Sequence, residues 1–445
     1  MIFLILIIFA LPGILLGKYI FKRYFNPLTV YTAIWYGMIN LYYLKLIRYD
    51  DLRMETWLFI AGAYLSMLLG SVTYFMSKNF LDAKLNIKTH KLEKVQIFSD
   101  DGIVIKYAII VFSIIGFISA FQHWFVLINK YGSLLGVLLK APEIYRLRVE
   151  GKIKGVIPYI HTFSYVAVFL SAIYTAYKNK FTFLTFLPLI AVFIKELANV
   201  GRSNILLAVI LFISTYFVFK SFYAYHFGKQ EKKVFRNVVA LLLILGIFIA
   251  SSAFMRAFRG TVETFSGTSR ALSSYKENLL ISPSIYLYLS AHLGVFNKYL
   301  ELEAEQSAFA QYTFQPVYNL LTKLGMINKK MRFYHKGYYI PVWTNSGTYL
   351  REMHADFGIF GILLMPYLLG LLATKFWISF FEKGSLVSLI VLIQIFTILI
   401  FSFFLTVTRF GVWYIYFILL LLIVPFLEKL SVFNERNKWF RMKLI

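Results

Sequence analysis

The arginines Arg146, Arg148, Arg202, Arg256, Arg259, Arg351 and Arg409 come from separate parts of the chain, yet each stands close to the end of an apolar stretch. A guanidinium keeps its charge at neutral pH and presents a planar fork of donors, which suits the oxygens of phosphate and other anions. Arg202 has the most telling local setting. It lies in Asn199-Val-Gly-Arg-Ser-Asn204, a turn between two short apolar runs where backbone donors and a guanidinium can face one anion. Chemistry at a hydroxyl also needs a group to take its proton. The candidates are His335, His354 and Asp356, with Glu263, Glu301, Glu303, Glu305 and Glu352 beside them. His335 sits in Arg332-Phe-Tyr-His-Lys336, where neighbouring cations keep an imidazole neutral, although an ordinary surface histidine reads the same way. His354 follows Arg351 by three residues, so on a helix the two share a face. Asp356 reads either as part of the same pocket or as a helix-start residue accepting backbone donors. Lys195 and Glu196, at the end of an apolar run, read as a site or as a self-neutralised pair whose lysine snorkels outward.

These residues are held by a chain of 445 residues that is 59% hydrophobic and 15% charged, with a mean hydropathy of +0.69. Repeated apolar runs near span length make it an all-α polytopic membrane protein. The absence of cysteine excludes disulfides and thiol nucleophiles. A net charge of +25 fits bases gathered at lipid headgroups, so no nucleic-acid partner is expected. No phosphate-loop or dinucleotide glycine pattern occurs, and no histidine or carboxylate cluster has metal-ligand spacing, so neither cofactor nor metal is expected.

The spans fall at 2–17, 27–47, 56–75, 103–128, 157–177, 181–198, 205–219, 238–253, 362–376, 386–405 and 410–427. That is about 11 transmembrane helices, the first read as retained rather than cleaved. Lysine-rich connections, such as that holding Lys84, Lys88, Lys91 and Lys94, place the N-terminus outside and the C-terminus in the cytoplasm. All the named arginines then share the outer boundary. Three regions result: membrane helices at 1–254 with an outer loop at 129–156, a large extracytoplasmic loop at 255–355, and membrane helices with a cytoplasmic tail at 356–445. Within the large loop, 285–300 is apolar but interrupted by Ser290, His292 and Asn297, and reads as a helix lying at the interface.

The turn at 199–204, the large outer loop, and Pro341-Val-Trp-Thr-Asn-Ser-Gly-Thr348 followed by Tyr349 and Asp356-Phe-Gly358 with Gly361 resemble the O-antigen and capsule repeat-unit polymerases of the Wzy type, relatives of the O-antigen ligases. The layout matches over nearly the whole chain and the motifs over 201–204 and 341–361. The resemblance implies a GT-C-like polymerase/ligase architecture in the bacterial cytoplasmic (inner) membrane. It implies a glycosyltransferase that polymerises undecaprenyl-pyrophosphate-linked oligosaccharide repeat units at the outer face, with a chain-length regulator as a possible partner. Arg202 and Arg351 are the positions that match the family's outward-facing arginines. Tyr338, Tyr339, Trp343, Asn345 and Tyr349 would then contact glycan through flat apolar faces and amide donors, or the aromatic members would seat the loop on lipid. Two other readings stay open: a ligase using the same donor, and an exporter or flippase of lipid-linked glycan. A transporter would place ionisable groups near the midplane and show internal repeats, which the sequence lacks.

Overall fold

A computed structural model describes residues 2–85, 95–149, 152–153, 155–228, 246, 283–302, 307–327, 335–340, 343–345 and 347–443. The protein is all-α, with fourteen α-helices and one two-residue hairpin among the described residues. In chain order the helices are α1 (Ile2–Phe21), α2 (Pro27–Tyr43), α3 (Met54–Leu85), α4 (Ile103–Tyr131), α5 (Leu134–Leu139), α6 (Ala141–Val149), α7 (Thr162–Lys178), α8 (Phe183–Asn199) and α9 (Ser203–Phe227). There follow α10 (Pro283–Glu301), α11 (Gln315–Lys323), β1 (Tyr338–Tyr339), β2 (Trp343–Thr344), α12 (Tyr349–Lys383), α13 (Leu386–Phe401) and α14 (Gly411–Lys443). Among the described residues, five stretches, within α3, α4, α9, α12 and α14, are long and apolar enough to cross a membrane. Phe9–Phe21 and Leu386–Phe401 are shorter apolar helices, and α2, α7 and α8, at 17 residues each, coincide with predicted spans. Apart from residue 246, the expected span at 238–253 lies outside the described residues.

The chain forms two compact units. The first comprises Met1–Lys88, Thr261–Ile378 and Ile395–Trp413. Here α2 packs on α1 and α10, and α3 crosses the membrane part of α12 at a pair of glycines. A Cβ on Gly70 would collide with the Tyr367 carbonyl and one on Gly370 with the Met67 carbonyl, so the two backbones touch. Small residues at such crossings let membrane helices gain packing where lipid gives no hydrophobic driving force.

In this unit α10 departs from the expected interfacial helix. It is buried over most of its length, with Ala291, Leu293, Val295 and Phe296 inaccessible. Its polar interruptions pair inside the protein: Ser290 Oγ lies 2.8 Å from Tyr49 Oη. Asn297 Oδ1 accepts from Arg53 N at 2.8 Å and Thr56 Oγ1 at 2.7 Å. His292 Nε2 donates to the Tyr288 carbonyl at 2.6 Å. Polar residues that look solvent-directed in sequence are satisfied in the interior, as buried polar groups must be.

The second unit comprises Thr89–Gly260, Ser379–Gln394 and Tyr414–Ile445. Helices α4, α7, α8 and α9 pack on one another in it. From Tyr165 to Ile173, α7 has almost no exposed atom, which matches a helix apolar all round. The expected outer loop at 129–156 is built of α5 and α6. Val137 and Ile144 pack with Leu127 of α4 and Ala198 of α8, so α5 and α6 are seated on those helices.

Candidate functional site

The first unit carries a cluster of charged side chains around the start of α12. Gly358, at φ 60 and ψ −147, breaks this helix close to a backbone region that only glycine occupies. The segment from Tyr349 to Phe357 is therefore a short helix above the break, and the apolar run follows it. One face of that short helix presents Glu352. It is 2% exposed, and its Oε1 accepts from Arg409 Nη1 at 2.6 Å and lies 2.6 Å from His335 Nε2. Its Oε2 accepts from the backbone N–H of Thr406. Arg409, at the end of the short 3₁₀ turn Val407–Arg409, also donates through Nε to Gln315 Oε1 at 2.8 Å, and its guanidinium lies over the Tyr312 ring.

His335 Nε2 stands 2.6 Å from Arg409 Nη1 as well as from Glu352 Oε1. One nitrogen serves one of these partners at a time. Donation from Nε2–H to the carboxylate is favourable, since Arg409 already has Glu352 as its acceptor. In that tautomer Nδ1 holds a lone pair, and no hydrogen bond to Nδ1 occurs among the described residues. Burial, then the neighbouring Arg409 charge, push the imidazole down from 6.5 to about 4, outweighing the pull of Glu352. His335 is therefore neutral at pH 7 in the folded protein. The consequence for stability has a definite sign. As pH falls from about 6.5 towards 4, the unfolded chain takes up a proton that the folded protein refuses, so stability present above that window is lost through it. A pH series of detergent-solubilised protein unfolded by SDS should show this loss, and His335→Gln should flatten it. An unchanged slope in the variant would contradict the assignment.

Arg351 is 2% exposed and lies between the rings of Tyr299 and Tyr338, with its Cζ 5.3 and 5.1 Å from their centroids. Nη2 donates to the Lys336 carbonyl at 2.9 Å and Nη1 to the Asn345 carbonyl at 3.4 Å. The guanidinium thus ties both ends of the hairpin to α12. His354 reaches the same tyrosine, its Nδ1 3.0 Å from Tyr299 Oη. Asp356 accepts four hydrogen bonds: at Oδ1 from Ser307 Oγ and Tyr312 N, at Oδ2 from Thr313 N and Thr313 Oγ1. Its partners are backbone and hydroxyl donors of the 307–313 segment, not of its own helix.

The aromatic residues divide. Tyr349 is buried, its Oη 2.8 Å from Tyr31 Oη, and Tyr338 is buried under Arg351. Tyr339 and Trp343 are opposite one another across the hairpin, and both are exposed. Asn345 enters through its carbonyl.

A second cluster belongs to the other unit. Arg202 is at the N-terminus of α9, after a turn in which Val200 has φ 50. Arg148 of α6 reaches this turn and donates from Nη1 to the Asn199 carbonyl at 3.2 Å, while Asn199 Nδ2 donates to Glu196 Oε1 at 3.1 Å. A Cβ on Gly201 would strike Arg148 Nη1 and touch Glu196 Oε2. Arg146, two residues back on α6, points to the exterior. Lys195 is not snorkelled: it is buried, with Nζ 2.6 Å from Nδ1 of His123, a buried residue of α4. Adjacent positions on a helix do not face each other, so Lys195 and Glu196 find different partners.

Of the predicted arginines, Arg351 and Arg409 both lie near His335, and Arg148 reaches the turn that leads into Arg202. Arg256 and Arg259 lie outside the described residues. Sequence reasoning placed Glu352 only among the candidate bases, and it did not mark Gln315, Tyr299 or His123. Gln315 bonds a residue 94 positions away and His123 one 72 positions away, separations that no local pattern reports. Comparison with protein-family models, with curated proteins and with solved structures gave no match.

Proposed function

We propose that this membrane protein is a glycosyltransferase of the GT-C-like polymerase type. It joins undecaprenyl-pyrophosphate-linked oligosaccharide repeat units at the outer face of the bacterial cytoplasmic membrane. The observation that carries the reading is the contact of His335, Glu352 and Arg409 at the head of the apolar helix α12.

Glycosyl transfer from a pyrophosphate puts negative charge on the leaving group as the anomeric bond breaks, and takes a proton from the acceptor hydroxyl. Arg409 supplies fixed positive charge for the first, and His335 Nδ1 a lone pair for the second. Glu352 holds the imidazole in the required tautomer through Nε2. An anion bound beside Arg409 offsets the guanidinium's effect on His335, so donor binding itself raises the basicity of the imidazole. Arg351 positions the hairpin rather than touching substrate, and Tyr339 with Trp343 offers an aromatic face to sugar rings. An apolar groove lined by Phe9, Trp35, Tyr36, Ile39, Trp57 and Tyr64 suits a polyprenyl chain, and Trp35 packs against Tyr349 at the start of α12. Arg202 and Arg148 provide a second site for anionic groups of the lipid-linked glycan.

The test uses purified protein in nanodiscs with an undecaprenyl-pyrophosphate repeat unit, resolving products by glycan length. The wild type should give a ladder of repeat multiples. His335→Gln, which removes the base, should slow it by about 10²–10⁴-fold, and Arg202→Ala should weaken donor use. Transfer of a single unit to a different acceptor would favour the ligase reading. Movement of the unit across a sealed bilayer without any ladder would replace both with an exporter or flippase.

A further inference from the structure

We infer that α11 is an in-plane membrane anchor, docked by its apolar face at the boundary of lipid headgroups and acyl chains. Its sequence, Gln315-Pro-Val-Tyr-Asn-Leu-Leu-Thr-Lys323, is strongly amphipathic, but it is turned opposite to a helix of a water-soluble surface. Val317, Leu320 and Leu324 share one face by their spacing, and Leu320 is 56% and Leu324 64% exposed. Gln315, on the opposite face, is 3% exposed and bonded to Arg409. Phe309, in the segment that leads into the helix, and Met326, just after it, are exposed apolar residues as well. In water this orientation is unfavourable at about 25 cal/mol per Å² of apolar area, and docking on lipid removes that cost.

Two contacts set the depth of the face and identify its occupant. The 307–313 segment that leads into α11 is clasped by Asp356, and the Phe309 ring packs on Phe357 at a centroid distance of 5.3 Å. Asp356 and Phe357 are the last residues before the Gly358 break. The outward apolar surface of α12 begins at once after it, with Ile359 exposed and Phe360 79% exposed. The clasp therefore holds the start of α11 level with the first residues of a membrane-length helix. Through the Phe309–Phe357 contact the exposed approach to α11 adjoins the start of the exposed apolar surface of α12, and a bilayer that covers the second reaches the first. At nine residues α11 is too short to cross, which leaves it lying along the surface.

The chain has no cysteine, so single nitroxide labels at Val317→Cys, Leu320→Cys, Leu324→Cys and Asn319→Cys report each face directly. The labelled full-length protein in nanodiscs of phosphatidylethanolamine and phosphatidylglycerol is read by power saturation, with oxygen as the lipid-soluble relaxer and a nickel chelate as the aqueous one. Labels at Val317, Leu320 and Leu324 should favour oxygen over nickel and lie about 5–10 Å below the phosphate level, with Asn319 favouring nickel. Equal nickel access at Leu320 and Asn319 would overturn the proposal by placing the face in water. Shielding of Leu320 from both relaxers would overturn it in favour of a second copy or another protein covering the face. Unchanged circular dichroism of each labelled variant confirms that the fold is intact. The readout needs no glycan, so it stands or fails separately from the enzymatic reading.

Discussion

Replacing Arg409 by methionine should lower the unfolding free energy by about 3–5 kcal/mol, because it leaves the Glu352 carboxylate buried without its cation. Glu352 is 2% exposed, so water does not compensate the loss. Its other partners are the Thr406 N–H and the imidazole of His335. The double variant Arg409→Met with Glu352→Leu removes both charges and should recover most of the lost stability, since a buried ion pair and an apolar pair of similar volume often differ little. Graded SDS unfolding in mixed micelles, run on wild type, both single variants and the double variant, gives the coupling energy. A coupling near zero would mean that the pair is hydrated in solution. Under the proposed function, the stabilised double variant should fold but give no glycosyl transfer, which separates folding from chemistry.

Asp356→Ala should cost about 4 kcal/mol, from four donors each worth about 1 kcal/mol when left unmade in a partly hydrated setting. Ser307 Oγ, Tyr312 N, Thr313 N and Thr313 Oγ1 all lose their acceptor together. The loss is local in its structural effect. Hydrogen–deuterium exchange should rise first in the 307–327 region, which this carboxylate pins to α12, and much less in α7, buried within the other unit. Asp356→Asn retains an acceptor oxygen and should fall between the two. Uniform exchange throughout the chain, with no preference for 307–327, would contradict the clasp.

The opening of α12 explains why these effects are concentrated there. Tyr349 meets Tyr31, Arg351 fastens the hairpin, Glu352 holds Arg409 and His335, His354 meets Tyr299, and Asp356 clasps the approach to α11. A helix exposes successive side chains about every 100° around its axis, so this short segment serves contacts on all sides. Gly358 then separates this polar segment from the apolar run, which keeps charged side chains out of the lipid-facing part of the helix.

By itself the sequence determined the class of the protein and the positions of most helices, because apolar run length is a local property set by the thickness of a bilayer. It also set a boundary between a large polar loop and the last membrane helices at 355/356, beside Arg351 and Asp356, but not the short helix that precedes Gly358. It did not determine which polar residues face inward. Ser290, His292 and Asn297 read as an interfacial pattern, yet α10 is buried because Tyr49, Arg53 and Thr56 reach two of them from distant sequence and the Tyr288 carbonyl takes the third. Lys195 reads as a snorkelling residue, and only the packing of α4 on α8 gives it His123. The amphipathic pattern of α11 is legible in its residues, but its orientation, with Gln315 inward and Leu320 outward, follows from the bonds at Arg409 and Asp356. Periodicity records that a helix has two faces. Which face meets lipid is decided by contacts between residues far apart in the chain, whose pairing no local spacing encodes.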